Sequence, residues 1–464
     1  MAYLRSYGAA EVVTGSCHVL YIDKGPTIMV DCGMYQGSVE KRNFKPFGFN
    51  PKDIDILLIT HAHLDHVGRI PLLVKEGFRG KILTLRSTMD LAEVVLLDSA
   101  HLMEEEFRTR FRKALRIGKE KKVNKPLYTV DDVEAVFDMP IEYVEYDKTV
   151  NLAKGVKATF RNAGHILDSA TIEVQFKEKG RTKKIVFSGD LGNRNDMVMQ
   201  DPTNLEEADL LYIESTYGDR NHKGIKESEI EFKQVVTETL LEKGSVLIPS
   251  FAIERTQEIL CILKKMYDDG ELPECKIFLD SPMAIRATHL YDLYHEELSK
   301  CCNDFLKRDG SIFEFPYLHY TLKPEESKKI NSEDSCIIIA GSGMCTGGRI
   351  LHHFKHRLWS EKNALLFVGY QAKGTLGRRI VEGAKKIKVY REEIAIRAHV
   401  HTINGFSAHA DQNGLIEWME GFERLGKVCL IHGEYDKQKI FKKAIAERMG
   451  KKAHIVAPRE KIYI

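Results

Sequence analysis

An excess of charge of either sign is missing from this sequence: across 464 residues, 69 Lys and Arg stand against 67 Asp and Glu. So balanced a chain has no global field to draw it onto a polyanion, and any anionic substrate must be gripped locally. Long apolar runs are missing too. The best of them, such as 54–59, stop at polar residues well short of the roughly 20 that a membrane-crossing helix needs, which excludes a membrane partner. The start, Met1-Ala2-Tyr3-Leu4-Arg5, has no apolar stretch before a small-residue cleavage site, so no secretory signal is read. The nine cysteines are odd in number and form no C-x-x-C, which fits a reducing cytoplasm better than a disulfide framework. No internal repeat and no low-complexity linker marks a domain boundary.

What is present is an alternation of short β-branched runs and longer helical patterns, at a length that suggests two to three domains. Strands are expected at 18–22, 27–30, 54–60, 81–84, 157–161, 171–176 and 184–188, with helices at 65–76 and 87–122. From about residue 206 a more regular βαβ rhythm follows, through strands 210–214, 245–249, 276–279, 336–340 and 364–368, and implies a parallel sheet. Beyond 388, one strand is expected over 393–403, a helix after Asp411, a strand at 428–431, a helix at 437–449 and a strand at 453–456. The fold class is therefore α/β.

The segment Thr60-His61-Ala62-His63-Leu64-Asp65-His66 puts four potential metal ligands in six residues, between an apolar strand and a helix start. Packed together without a cation, such groups would repel one another or stay unsatisfied. In extended chain, residues two apart point the same way, so His61 and His63 can share one ion, while Asp65 and His66 turn toward a second. Imidazole and carboxylate together are the usual ligands of catalytic zinc. His165, after strand-like 157–161, and Asp190, after 184–188, stand where sites in layered α/β folds are built and supply further donors.

H-x-H-x-D-H with a later single His and a later single Asp resembles the metallo-β-lactamase superfamily, whose fold is an αββα sandwich with a di-metal site at one edge of the sheets. Asp31, in Val30-Asp31-Cys32-Gly33, matches that superfamily's site-orienting Asp. Further motifs, Ile213-Glu214-Ser215-Thr216-Tyr217-Gly218, Phe406-Ser407-Ala408-His409-Ala410-Asp411 and Ile431-His432-Gly433-Glu434, are similar to those of the β-CASP nucleases, the group of the mRNA 3′-end endonuclease subunit and its bacterial and archaeal relatives. The likeness continues through Asp280-Ser281-Pro282-Met283-Ala284, Gly341-Ser342-Gly343-Met344 and Gly369-Tyr370-Gln371. It implies a β-CASP domain, built on a mainly parallel sheet, inserted at 206–388 between metallo-β-lactamase parts at 1–205 and 389–464. It further implies two Zn²⁺, one held by His61, His63 and His165, the other by Asp65, His66 and His432, with Asp190 bridging. His432 resembles the RNA-processing branch rather than the DNA-repair branch. One departure is Glu254, before Arg255, where relatives commonly carry Gly.

Two such ions lower the pKa of a bound water and neutralise phosphate oxygens. Asp65 and Asp190 are counted with the catalytic groups. His409 is the expected proton donor to the departing 3′-oxygen, with Glu214 favouring its charged form. Around the Gly-rich stretch 341–349, Ser342, Thr346 and Arg349 are expected to meet phosphate, and Arg378 to add charge to the RNA path. His352, His353 and His356 are not read as a second metal site. The expected function is a zinc-dependent ribonuclease acting on single-stranded RNA, endonucleolytic with a possible 5′–3′ exonuclease activity, and homodimeric by resemblance. Two rivals stand beside it: a small-molecule metallo-hydrolase of thioesters or lactams, and a non-catalytic RNA-binding scaffold.

Overall fold

The structure, a computed structural model, describes every residue except Tyr370, Lys373 and Asn404, so Tyr370 of the Gly369-Tyr370-Gln371 motif lies outside the described residues. The strands are β1 (Tyr3–Gly8), β2 (Cys17–Tyr21), β3 (Thr27–Val30), β4 (Ile56–Leu58), β5 (Lys81–Thr84), β6 (Ile141–Tyr143), β7 (Thr149–Ala153), β8 (Val156–Asn162), β9 (Ala170–Glu178), β10 (Arg181–Phe187) and β11 (Glu207–Ile213). They continue with β12 (Val246–Pro249), β13 (Lys276–Leu279), β14 (Leu318–Tyr320), β15 (Cys336–Ala340), β16 (Ala364–Phe367), β17 (Lys386–Val389), β18 (Glu392–Ala395), β19 (His399–Thr402), β20 (Arg424–Leu430), β21 (Ala453–Ile455) and β22 (Lys461–Tyr463).

The chain divides into two compact units, the first comprising Met1–Arg194, Asp201–Asn221 and His409–Ile464, the second Asn195–Gln200 and His222–Ala408. The first unit holds two seven-stranded sheets, ordered β22-β1-β2-β3-β4-β5-β6 and β21-β20-β11-β10-β9-β8-β7. Their inner faces meet in one core in which Leu4, Leu20, Val30 and Leu58 face Phe160, Ile172, Ile185 and Leu210. Burying each such side chain is worth about 1.5–3 kcal/mol. On the other face of the second sheet, helices Gln412–Glu420 and Tyr435–Met449 bury Leu415, Trp418, Phe441 and Ile445 against Val186, Leu211 and Val428. Helices α1 (Leu64–Val67), α2 (Ile70–Lys75), α3 (Arg86–Leu115) and α4 (Val130–Phe137) belong to the first sheet's half of the chain. This is the expected αββα sandwich.

The second unit is built on a six-stranded sheet, β14-β13-β15-β12-β16-β19, parallel throughout. Its inner strands β12, β15 and β16 read as continuous runs because both faces are covered, and each is buried at every residue. The run 393–403 is two strands rather than one. Its alternation is unbroken, but the amides of Arg397 and Ala398 both donate to the Leu358 carbonyl, and this pulls the chain out of the β17–β18 hairpin before it re-enters the sheet as β19. Similarly, the helical run 65–76 is divided at Gly68, which caps α1. No helix among the described residues is long and apolar enough to cross a membrane.

Asp280, just after β13, ties the Gly-rich loop to the end of the edge strand β14 in the six-stranded sheet. Its Oδ1 accepts from Thr321 and Arg349, each at 2.7 Å, and its Oδ2 meets Ser327 and His353, each at 2.7 Å. Burial raises this carboxyl's pKa, but the bonds from His353, Ser327, Thr321 and Arg349 outweigh it and hold it at about 2. A depressed carboxylate contributes stability above its unfolded value near 3.8 and loses it as pH falls through about 2. Asp280→Asn is therefore expected to destabilise the chain by about 2 kcal/mol at pH 7. In paired denaturant melts the difference from wild type should shrink between pH 4 and pH 2.

Candidate metal centre

Every residue of the expected ligand set lies in the first unit, on loops that leave the ends of β4, β8, β10 and β20. The apolar strand β4 is wholly buried and delivers His61 and His63 in extended chain; His63 is itself the N-cap residue of α1, which turns Asp65 and His66 inward. Two ligand groups of the expected composition result, beside a third in which Asp190 and His432 meet Glu214. His61, His63, His165 and Asp190 form one and Asp65, His66 and His432 the other, with the donor atoms of each group within 4.8 Å of one another.

In the first group, His63 Nδ1 lies 3.2 Å from His61 Nε2 and 3.1 Å from His165 Nε2. Asp190 Oδ2 lies 3.5 Å from His61 Nε2 and 3.7 Å from His165 Nε2. In the second, His66 Nε2 stands 3.2 Å from His432 Nε2, and that nitrogen 3.5 Å from Asp65 Oδ2. Asp190 reaches this group as well, with Oδ2 3.3 Å from His66 Nε2 and Oδ1 3.6 Å from His432 Nδ1.

Three interactions fix which ring nitrogens face the cluster. Asp31 accepts at Oδ1 from the Thr60 amide and at Oδ2 from the Thr60 hydroxyl, both at 2.8 Å, and takes His66 Nδ1–H at 2.7 Å. With its proton given to Asp31, Thr60 Oγ1 accepts from His61 Nδ1–H at 3.0 Å. Thr216 Oγ1 stands 3.1 Å from His432 Nδ1. Nε2 of His61, His66 and His432 is thereby left to donate a lone pair, the arrangement in which a second partner orients a metal-binding imidazole. Neither threonine was singled out from sequence. The only signal was position: Thr60 directly precedes H-x-H, and Thr216 lies within the Glu214 motif.

The donors fit a cation. Burial presses His63 down to about 4 and His61 well below the usual imidazole range, so both rings are neutral. Burial also disfavours charge on His66, but Asp190 and Asp31 outweigh it and draw a proton onto the ring, positive charge that a metal ion would replace. Asp190 Oδ1 is buried without a hydrogen-bond partner, which a native interior rarely tolerates unless an ion satisfies it.

Backbone geometry holds the cluster shut. Asp31 (φ +60) and His432 (φ +50) occupy the left-handed region, a cost of about 1–3 kcal/mol each that persists only when the surroundings over-determine it. Gly33 lies so close to the ligand loop that a Cβ there would sit 1.5 Å from the Asp65 carbonyl oxygen. Gly33→Ala is accordingly expected to lower stability by at least about 2 kcal/mol and to reduce bound metal with it, as read by thermal melting and elemental analysis.

His409 lies beside the cluster, its Nδ1 3.2 Å from Glu214 Oε1 and 3.9 Å from Asp190 Oδ2. Burial pulls its pKa down, yet the charge and hydrogen bond of Glu214 prevail and lift it to about 9. Glu214 is fully buried and accepts from the amides of Leu191 at 2.7 Å and Thr216 at 3.4 Å.

The four residues expected to meet RNA lie in the second unit, in local bonds. Ser342 Oγ accepts from the amides of Thr346 at 2.9 Å and Gly347 at 3.3 Å and meets Thr346 Oγ1 at 3.2 Å, closing the loop on itself. Arg378 Nε donates to Glu382 at 2.7 Å. The guanidinium of Arg349 donates to Asp280 and to the carbonyls of Thr321 and Leu322, and so braces the loop. His353 is bound to Asp280, and His352 Nε2 lies 3.1 Å from the Tyr390 hydroxyl. Glu254 has φ +66, so the backbone keeps the glycine-like conformation although the side chain is glutamate, paired with Arg255 at 3.3 Å.

Three family models match successive stretches of the chain: the metallo-β-lactamase superfamily at 11–83, the Beta-Casp domain at 256–380, and the Zn-dependent metallo-hydrolase RNA specificity domain at 393–456. The chain is 41% identical over 446 residues to Ribonuclease TTHA0252 of Thermus thermophilus, covering 95% of each. It is 32% identical to Transcription termination factor FttA of Methanocaldococcus jannaschii over 97% of this chain and 69% of that protein. To the RNase J-like protein of the same organism it is 31% identical, over 94% and 93%. A crystal structure of a protein of unknown function from Enterococcus faecalis V583 shares the fold over 100% of both chains, at TM-score 0.53 and 11% identity. This chain belongs to the β-CASP family of the metallo-β-lactamase superfamily.

Proposed function

We propose that the chain is a metal-dependent ribonuclease of RNA processing or decay, holding two Zn²⁺ and cutting single-stranded RNA internally to leave a 3′-hydroxyl and a 5′-phosphate. The observation that carries this reading is the convergence of His61, His63, His165, Asp65, His66 and His432 on Asp190, with the His409–Glu214 pair beside them. Relatives named as ribonucleases support it, as does the match to the RNA specificity domain. The odd cysteine count without C-x-x-C supports a cytoplasmic setting.

His61, His63, His165 and Asp190 would hold one ion, and Asp65, His66, His432 and Asp190 the other. Bound there, the ions supply charge to offset that of the phosphodiester and acidify water so that hydroxide is available at neutral pH. The protein's own groups do the rest. Asp31, Thr60 and Thr216 hold the imidazoles in the tautomer that turns Nε2 inward. Glu214, itself anchored by two amides, keeps His409 protonated, and His409 gives that proton to the departing 3′-oxygen. The alkoxide would otherwise leave as a strong base, and general acid help of this kind is worth about 10²–10⁴-fold.

The test is cleavage of a 5′-labelled single-stranded RNA, with zinc quantified in the same preparation. Internal fragments and close to two zincs per chain are expected. A protein with two zincs that leaves RNA intact would point to a small-molecule hydrolase, a metal-free and inert one to an RNA-binding scaffold. A ladder of mononucleotides in place of internal fragments would overturn the endonucleolytic mode.

A further inference from the structure

The helix α3 is 30 residues long, but only its first half is packed. Ser87 to Ala100 supply all of its buried residues, and its root is bolted to the metal centre: Ser87 and Thr88 donate to the side chain and the carbonyl of Asp168, three residues beyond His165. From 101 to 125 no residue is buried. Large apolar side chains stand in solvent there, with Leu102 59%, Phe111 37%, Leu115 58% and Ile117 66% exposed.

The composition of this free half differs from that of the whole chain. Between 101 and 125 lie Arg108, Arg110, Arg112, Lys113, Arg116, Lys119, Lys121, Lys122 and Lys125, against four acids, Glu104, Glu105, Glu106 and Glu120, of which only Glu120 lies beyond 106. Two of the nine are paired along the helix, Arg108 with Glu104 at 2.9 Å and Arg110 with Glu106 at 2.5 Å. Among the described residues, the other seven make no ion pair within 4 Å.

Folding does not account for this arrangement. Like charges four apart on a helix destabilise it, and Arg108, Arg112 and Arg116 form such a ridge. The helix dipole rewards cations only in the last turn, and a helical segment this short with no buried face is marginal in water. The adjacent ridge is Phe107, Phe111 and Leu115, with the two rings 5.6 Å apart. At about 100° per residue, Arg108 falls on one side of Phe111 and Arg110 on the other, with Arg112 beyond Arg108, while Arg116 and Lys113 lie toward the opposite face, so cations border the aromatic ridge on both sides and continue round the helix. That pattern suits single-stranded RNA, whose bases stack on aromatic and guanidinium planes while the phosphates meet cations.

We propose that the free half of α3, with the 116–125 segment, is an auxiliary binding arm for single-stranded RNA, engaging the substrate at a distance from the scissile bond. It rests on the ribonuclease reading. Thr88 is anchored beside the His165 loop, and at 1.5 Å per residue Arg108 and Arg116 lie about 30 and 42 Å along the helix. Only RNA long enough to extend from the metal centre along the helix engages the arm.

The test compares wild type with the full-length variant Arg112→Gln/Lys113→Gln/Arg116→Gln/Lys119→Gln, and with the variant Arg112→Lys/Arg116→Lys, which keeps the charge at all four positions. Binding of a labelled 30-nucleotide oligouridylate is followed against salt. The glutamine variant should lose about three units from the slope of log K against log salt, since each neutralised phosphate contact contributes about 0.7 on a single strand; the lysine variant should keep the slope. In cleavage, kcat/KM for the 30-nucleotide RNA relative to a 6-nucleotide RNA should fall about tenfold in the glutamine variant alone. An unchanged slope and an unchanged ratio, with wild type cutting both RNAs, would overturn the arm while leaving the ribonuclease standing. Failure of wild type to cut either RNA would instead defeat the underlying reading. If phosphatidylserine vesicles bind wild type but not the glutamine variant, while RNA binding is equal, the surface is for membrane and the proposal is wrong.

Discussion

Asp190→Ala is expected to lower RNA cleavage by about 10³-fold or more, since the metal ions' charge is worth several kcal/mol at the transition state and each 1.4 kcal/mol is a decade of rate. Asp190 is the one residue whose carboxylate faces both ligand groups: Oδ2 lies 3.3 Å from His66 Nε2 and 3.5 Å from His61 Nε2, and Oδ1 lies 3.6 Å from His432 Nδ1. Removing it leaves five histidine rings and Asp65 in a cluster that has lost the charge the two proposed ions would share. Zinc content should fall together with activity, and the melting temperature with it, because a ligand that binds only the folded state stabilises that state. Asp190→Asn preserves the shape and should fail nearly as badly, which separates charge from packing. A variant that kept two zincs and cut RNA within tenfold of wild type would remove Asp190 from the bridging role.

His409→Ala should cost about 10²–10⁴-fold in kcat, the range of a lost general acid, while zinc content stays at the wild-type level. Here activity and metal part company, which they do not for Asp190. The pH profile carries the sign. Histidine serves as an acid only while protonated, so cleavage must fall as pH rises through the pKa of His409. Without metal, Glu214 and Asp190 hold that pKa at about 9; cations at the neighbouring cluster act in the opposite direction, so the alkaline limb should lie between 6.5 and 9. Glu214→Gln removes the carboxylate 3.2 Å from His409 Nδ1 and should shift the limb to lower pH, with a smaller loss of kcat than His409→Ala. An alkaline limb unmoved by Glu214→Gln would show that another group supplies the proton.

Much of the site was legible because short-range geometry determines it. His61, His63, Asp65 and His66 occupy one strand end and one helix start, so spacing alone dictates that they face a common region. His165, Asp190, His409 and His432 were legible through motifs, since each is separated in sequence from the others; the presence of β8, β10 and β20 in one sheet brings the loops of His165, Asp190 and His432 to the same edge, and His409 enters from the segment before the helix Gln412–Glu420. Thr60 and Thr216 escaped notice because a hydroxyl that orients an imidazole leaves no pattern in the chain. The bracing by Arg349 was illegible for a related reason: a guanidinium in a glycine-rich loop suggests a phosphate, and nothing local reveals its bond to Asp280, 69 residues away.

The strands missed from sequence follow the same division. Tyr3–Gly8 alternates burial residue by residue and was detectable by its period of two, whereas Lys461–Tyr463 is three residues long and is a strand only because β1 offers it an edge. The sequence by itself determined the fold class, the presence of the H-x-H-x-D-H cluster of candidate ligands and the helical register of α3, because these depend on residue type and on spacings of two to four. Tertiary structure alone decided where 393–403 breaks, which ring nitrogens point inward, which arginine is bound and which is free, and that half of α3 stands without a packing partner. These depend on contacts across tens to hundreds of residues, where long-range hydrogen bonds and burial override whatever the local pattern prefers.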